Sequence, residues 1–301
     1  MASDKLQAMR IFRRVAELGS FTAAADDLNM VPASVSKHIA FLEDQMGTRL
    51  IHRTTRRMHL SDAGLHYLNS VRRILDDLDE SENRVRGIDA SPVGKIRLNA
   101  PMSFGLMHLP PIIDSFLARY PDIEIDLQLS DRIVDLVEQG VDLALRIRRH
   151  LPDSSLTARR ICATQRVVCA SPEYLARHGT PTIPKELTNH RCLTYTLSDS
   201  PDRWQLGDQD VEVRGNLRVD SSLAIKQSLL NHQGISLIPT FLVYEELRSG
   251  ALKTLLADFP PSGHFLYAVF PPGQQKPDRI RILLEHLIES FGTPPYWDRK
   301  A

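Results

Sequence analysis

The chain is poor in the features that would place it in several common classes. It has three cysteines in 301 residues, Cys162, Cys169 and Cys192. They form no metal-ligand pattern, and the odd count suits small buried thiols in a reducing compartment rather than a disulfide framework. No run of about eighteen apolar residues occurs, so no membrane span is expected. The opening Met1-Ala2-Ser3-Asp4-Lys5 carries no apolar core of a secretory signal, and a cytoplasmic location is expected. Net charge is zero, which excludes a uniformly basic protein. There is no G-x-S-x-G elbow, no P-loop, no G-x-G-x-x-G, no fixed-period repeat and no low-complexity segment. An enzyme is not expected, nor a resident metal or cofactor.

What is present is ordinary in bulk and uneven in placement. Hydrophobic content of 42% and charged content of 25% describe a globular chain long enough for two or three domains. Residues 1–61 hold nine Lys/Arg against six Asp/Glu, whereas residues 62–90 hold four against seven. A basic head beside an acidic segment fits nucleic-acid contact confined to the head.

The informative stretch runs from Ser20 to Arg57. Ser20 is an N-cap for a short helix, Phe21 to Leu28, whose small residues let another helix cross closely. Asn29 suits the left-handed end of that helix and Pro32 the first turn of the next. Val35, Ile39, Leu42 and Met46 then fall at spacings of four, three and four, one buried stripe closed by Gly47. The opposite face carries Ala33, Ser34, Ser36, Lys37, Ala40 and Phe41, with no acid among them, which suits entry into a major groove; Pro32 at the helix start is a further DNA candidate, and His38 either reaches the DNA or flanks the helix. Thr22 lies on the preceding helix. Arg49 to Leu60 includes Arg53, Thr54, Arg56 and Arg57 without a carboxylate, and reads as a hairpin wing that aims guanidinium groups at phosphates.

Residues 4–17 predict a helix beneath this pair, with Arg10, Arg13 and Arg14 either on the DNA backbone or plain surface charges. Ser61 caps a long helix to about Gly87. Leu68, Val71, Leu75, Leu78 and Val85 on it make either a short coiled-coil seam or a stripe lying on its own domain, and two-fold symmetry of DNA half-sites favours the seam. The run Asp76-Asp77 and Asp79-Glu80 reads as a solvated acidic face. His52, His59 and His66 recur every seven residues on different elements, an arrangement that does not suit a metal. Ser91-Pro92-Val93-Gly94 is a linker. Beyond it, strands are predicted at 95–100, 123–129, 141–147, 167–170 and 235–238. Helices are predicted around 110–119, 131–139, 222–231 and 277–291. This alternation implies an α/β region with a parallel sheet.

These residues resemble the LysR-type transcriptional regulators. The match runs through Phe21-Thr22-Ala23-Ala24-Ala25, Val35-Ser36-Lys37-His38-Ile39, Leu42-Glu43, Gly47, Arg49-Leu50, Arg53-Thr54 and Leu60-Ser61-Asp62-Ala63-Gly64. It continues at Gly140-Val141-Asp142-Leu143-Ala144-Leu145-Arg146 and Gly234-Ile235-Ser236-Leu237-Ile238-Pro239. The resemblance implies a winged helix-turn-helix at 1–61, a linker helix at 62–90 that dimerises, and a two-lobed α/β effector domain at 91–301. The lobes, 91–162 with 266–301 and 163–265, would resemble periplasmic binding proteins. It further implies a dimer or tetramer on double-stranded promoter DNA, controlled by a small molecule between the lobes. One departure is Val31-Pro32, where family members commonly place a capping Ser or Thr, so capping is weaker by about 1 kcal/mol.

Candidates for the effector cleft sit at strand ends and helix starts. Ser103 and Phe104 follow the first strand, where backbone N–H groups could also bind an anion. Ser130 ends the clearest strand, Arg146 ends another and could pair with a carboxylate, and Ser222 opens a helix. A small carboxylate is the expected ligand. The competing readings are an α/β enzyme with a DNA-binding head, and a solute-binding protein.

Overall fold

The computed structural model describes residues 2–53, 58–85, 92–132, 135–151, 156–271 and 277–299. It divides into two units, Met1–Lys95 with Val134–Val141, and Ile96–Ile133 with Asp142–Ala301.

In the first unit, α1 (Ala2–Leu18), α2 (Phe21–Asp27) and α3 (Pro32–Met46) precede a hairpin of β1 (Ile51–Arg53) and β2 (Met58–Leu60), then α4 (Asp62–Val85). Each boundary has a local cause. Ser20 Oγ accepts from Ala23 N at 3.2 Å, and Asn29 takes a φ of 52° after α2. Val31 makes no side-chain cap bond and Pro32 fills the first turn of α3, so the departure from the capped pattern holds structurally. Gly47, at φ 64°, ends α3 in the left-handed region. Ser61 Oγ accepts from Gly64 N at 2.9 Å and opens α4.

The core of this unit is Ala8, Ile11, Phe12, Val15, Ala24, Ala25, Val35, Ile39 and Leu42, joined by Leu68, Val71 and Leu75 of α4. That corrects the seam reading for these three residues: they are buried in their own domain. The side chain of Val85 lies outside the described residues. The arginines of α1 are likewise engaged within the unit. Arg13 binds Asp76 at 2.9 Å, Arg10 reaches Asp79 at 3.5 Å, and Arg14 forks onto Asp27 at 2.6 and 2.5 Å. Asp76 and Asp79 are therefore ion-pair partners and not a purely solvated face.

The second unit begins with β3 (Gly94–Ala100), α5 (Met102–Arg119), β4 (Ile123–Leu129), β5 (Leu143–Arg148), β6 (Thr157–Thr164), β7 (Arg166–Ala170) and α6 (Pro172–His178). After a short 3-10 turn, Pro184–Asn189, come β8 (Thr194–Tyr195), β9 (Arg203–Leu206), β10 (Gln209–Glu212), β11 (Arg218–Val219), α7 (Ser222–Leu230), β12 (Ile235–Pro239) and α8 (Thr240–Ser249). The chain closes with β13 (Lys253–Leu255), β14 (His264–Phe270), α9 (Asp278–Phe291) and a 3-10 turn, Tyr296–Asp298.

Five strands form one sheet in the order β4-β3-β5-β14-β6. β3 and β5 are parallel, but β14 returns antiparallel to both β5 and β6. The sheet is thus mixed and not parallel throughout. The second sheet, β12-β7-β13, is antiparallel at both pairings. Two helix expectations also change. α5 begins at Met102 and carries Pro110 and Pro111 inside it, where a helix start near 110 was expected. Residues 135–140 form turns instead of a helix. Gln139 N bonds Asp135 O at 3.0 Å, and the Asp135 carboxylate accepts from Val137 N and Glu138 N at 2.8 and 3.0 Å. No described helix is long and apolar enough to cross a membrane.

Candidate functional site

The first candidate surface is the outer face of α3. Its buried residues are Val35, Ile39 and Leu42, so the helix turns Pro32, Ala33 and Lys37 fully outward. Ser34, Ser36 and His38 are half-buried on its flanks, and Thr22 is exposed on α2. His38 Nδ1 donates to the Ser34 carbonyl at 2.8 Å, which fixes the ring along the helix. The wing hairpin has the register Ile51↔Leu60, His52↔His59 and Arg53↔Met58. Arg53 therefore ends β1, with its side chain outside the described residues, as are Thr54, Arg56 and Arg57 entirely.

Two residues that support this surface were not assigned a role from sequence. Glu43 Oε1 accepts from Leu50 N and Ile51 N at 2.9 and 3.2 Å, while Oε2 holds Arg49 at 2.9 Å. The end of α3 thus grips the start of the wing. Gly64 approaches Leu50 so closely that an added Cβ would lie 1.9 Å from its carbonyl oxygen. The signal was present in sequence as the matched Glu43 and Gly64, but its physical content needed coordinates.

The second candidate is a cavity of about 490 Å³ within the second unit. All five residues expected from sequence line it: Ser103, Phe104, Ser130, Arg146 and Ser222. Their chemistry differs from expectation in instructive ways. Ser103 is not a cap: it lies within the first turn of α5, 4% exposed, and its Oγ has no hydrogen-bond partner. Ser221, not Ser222, caps α7 by accepting from Ala224 N at 3.4 Å. Ser130 Oγ accepts from Arg132 N at 3.2 Å.

The start of α5 is held by a carboxylate of the protein itself. Asp131 Oδ1 accepts from Met102 N at 3.0 Å, and the same side chain bonds the hydroxyl of Tyr195 on β8. Burial pushes the Asp131 carboxyl up, and burial together with Asp131 pushes the Tyr195 hydroxyl up. Part of the anion-binding capacity expected at this helix end is therefore already used.

Arg146 is the central cation. One guanidinium nitrogen donates to Asn99 Oδ1 at 2.5 Å and to the Leu145 carbonyl at 2.9 Å. The other, Nη2, is buried without a partner. Burial and the neighbouring Arg148 lower its pKa to about 10. Two cavity groups that sequence did not flag share this condition. Thr164 Oγ1 and His264 Nδ1 are buried and unpartnered, and the two residues face each other across β6 and β14. Burial and Arg166 push the His264 ring down to about 4, so it is neutral at pH 7. Phe104, Ile225, Leu237 and Phe241 supply an apolar wall. Among the described residues no cluster of three or more His, Cys, Asp or Glu could hold a metal ion.

Comparison with known proteins follows the same division. Residues 6–65 match the model for a bacterial regulatory helix-turn-helix protein of the lysR family, and residues 89–292 match the LysR substrate binding domain. The chain is 34% identical over 291 residues to the HTH-type transcriptional regulator PtxR of Pseudomonas aeruginosa, covering 95% of this chain and 92% of that one. It is 33% identical over 291 residues to DmlR of Escherichia coli, covering 95% and 94%. Among solved structures, CrgA of Neisseria meningitidis, a LysR-type transcriptional regulator, aligns with TM-score 0.62 at 33% identity, covering 94% of this chain and 97% of that one. The Vibrio cholerae virulence activator AphB aligns with TM-score 0.59 at 27% identity, covering 94% and 98%.

Proposed function

We propose that this chain, which belongs to the LysR-type transcriptional regulators, binds promoter DNA through α3 and the wing and answers to an anionic small molecule held at Arg146. The family assignment makes it a regulator with an effector-binding domain, not an enzyme. The finer reading concerns which residues act. On the DNA side these are Thr22, Pro32, Ala33, Ser34, Ser36, Lys37 and His38, with Arg53, Thr54, Arg56 and Arg57 from the wing. The outward face of α3 from Pro32 to Phe41 carries no carboxylate, which supports base and phosphate contact.

On the effector side, Ser103, Phe104, Ser130, Arg146 and Ser222 contact the ligand. The observation that carries this reading is the buried Arg146 nitrogen without a partner, in a cavity of ligand size. A carboxylate there completes the guanidinium's hydrogen bonds. The division of the effector domain into lobes 91–162 with 266–301 and 163–265, hinged where β6 and β14 cross, gives the ligand two bodies to bridge. Ligand then acts through its difference in affinity between two lobe arrangements. The working form is a cytoplasmic homodimer or homotetramer, matched to paired half-sites.

The test is footprinting on the intergenic region beside the gene, combined with Lys37→Ala. This change should lower affinity about tenfold and reduce the salt slope by about one, with stability changed by under about 0.5 kcal/mol. Unaltered binding with an unaltered salt slope would remove α3 from the DNA interface. Arg146→Gln should abolish the response of the footprint to an effector without weakening DNA binding in its absence.

A further inference from the structure

The charges around the cavity are not evenly balanced, and their pattern narrows the ligand beyond an anion of any kind. This step rests on the effector reading above. Besides Arg146, the wall holds five arginines: Arg132, Arg148, Arg149, Arg166 and Arg203. Arg132 and Arg149 are exposed, so water answers their charge. Arg203 is paired with Asp210 at 2.8 Å. Arg148 interacts with Asp131, and Arg166 with Asp199. Arg146 has only the neutral Asn99 amide and its neighbour's carbonyl as hydrogen-bond partners, with Arg148 as the nearest charge felt. Among the described residues of the wall, Arg146 is the arginine with a buried guanidinium nitrogen that has no hydrogen-bond partner.

The remaining unmet hydrogen-bonding capacity is uncharged. Ser103 Oγ lies at the start of α5, and Thr164 Oγ1, on a residue 1% exposed, lies beside His264 Nδ1. A hydroxyl and a neutral imidazole call for a neutral partner. A hydroxyl placed there can both accept from Thr164 Oγ1 and donate to the His264 ring nitrogen, whereas a carboxylate can only accept. The two places are also separated. Arg146 pairs across the sheet with Tyr267, and His264 lies three residues earlier on that strand, about 10 Å along an extended chain.

We infer that the effector has two unlike ends: a carboxylate bound by Arg146 and Ser103, and a hydroxyl bound by Thr164 and His264, joined by an apolar body. The wall of Phe104, Ile225, Leu237 and Phe241 takes that body. A second carboxylate at that end offers no donor to the His264 ring nitrogen.

Calorimetry on the full chain with matched probes tests this. One series shares a benzene ring: para-hydroxybenzoate, benzoate, terephthalate and para-hydroxybenzamide. A second shares a five-carbon chain: terminally hydroxylated valerate, valerate and glutarate. In at least one series the hydroxy acid should bind about tenfold tighter than the plain acid, and tighter than the dianion. Thr164→Val should shrink the tenfold gap to about twofold. The inference is overturned if the dianion is preferred, if Thr164→Val lowers hydroxy and plain acids alike, or if neither series gives heat at millimolar concentration. Those first two results leave the anionic reading standing. Equal binding of para-hydroxybenzamide and para-hydroxybenzoate, insensitive to Arg146→Gln, would instead sink the anionic reading itself.

Discussion

The helix-turn-helix head and the effector cavity treat their polar groups in opposite ways. In the head, most buried and half-buried polar groups are satisfied by the same chain, the Tyr67 hydroxyl being an exception: Glu43 by two backbone N–H groups, Ser61 by Arg49 O and Gly64 N, Arg13 by Asp76. Of the polar residues of α3 assigned to DNA contact, Lys37 is exposed and Ser34, Ser36 and His38 lie half-buried on its flanks. In the cavity, Ser103, Arg146, Thr164 and His264 each keep a buried polar atom without a partner. A surface that meets a polyanion needs exposed groups on a rigid base. A pocket that selects a small molecule needs groups left unsatisfied until the molecule arrives, and each costs stability while it waits.

The largest test of this contrast is Glu43→Ala. It strands the Leu50 and Ile51 N–H groups and frees Arg49, for an expected loss of about 3 kcal/mol from the head. Both tryptophans, Trp204 and Trp297, belong to the second unit. Circular dichroism at helix wavelengths should therefore report an early transition that tryptophan fluorescence does not. DNA binding should fall with it, because the wing loses its anchor. A loss under about 1 kcal/mol would show that water replaces the carboxylate and that the head is not held by its own polar pairs.

A smaller effect comes from acid acting on the second unit. His108 is buried in α5. Its Nε2 donates to the Phe241 carbonyl at 3.1 Å and its Nδ1 accepts from the Tyr296 hydroxyl. Burial pushes it down from 6.5 to about 4, with Glu245 and Lys226 as the charges it feels. Unfolding restores the ordinary value, so between pH 6.5 and about 4 the unfolded chain binds the extra proton. Stability from this group is whole above pH 6.5 and declines as pH falls through that window, by about 2 kcal/mol for His108. Tryptophan-monitored urea melts at pH 7 and pH 5 should show it, and His108→Gln should reduce the difference to the part that His264, also pushed down to about 4, contributes. A midpoint independent of pH in the wild type would place the ring in water.

What could be read from sequence follows the same division. α3 was legible because spacing, Asn29, Pro32, Gly47 and Ser61 all act within a few residues of themselves. The strands β3, β4, β5, β7 and β12 were legible from alternation or continuous apolar runs. Leu68, Val71 and Leu75 were not decidable, because a stripe of that period packs equally well on its own domain or on a partner. The mixed sheet was missed because β14 pairs with strands a hundred or more residues earlier, and nothing local states its direction. Residues 135–140 carry a helical rhythm, but Asp135 turns its carboxylate back onto the N–H groups two and three residues on. The cavity residues named from strand ends, Ser130 and Arg146, came from a general rule of open sheets. Thr164, His264 and the Asp131–Tyr195 bond came from no rule, since they exist only where distant strands cross.

The finest test makes one substitution in both regions. Ser61→Ala removes a hydroxyl that accepts from Gly64 N at 2.9 Å and donates to Arg49 O at 2.6 Å, so about 1 kcal/mol should be lost from the head. Ser103→Ala removes a hydroxyl that is more deeply buried but makes no bond. Removing an unpaired buried polar atom relieves its desolvation cost, so stability should stay within about 0.5 kcal/mol of wild type or rise. The same change should weaken carboxylate binding several-fold, because the hydroxyl's only use arises when a ligand is present. Equal losses of stability at both serines would mean that Ser103 is bonded within the empty protein, and the contrast between a self-satisfied head and a waiting cavity would fail at its most direct point.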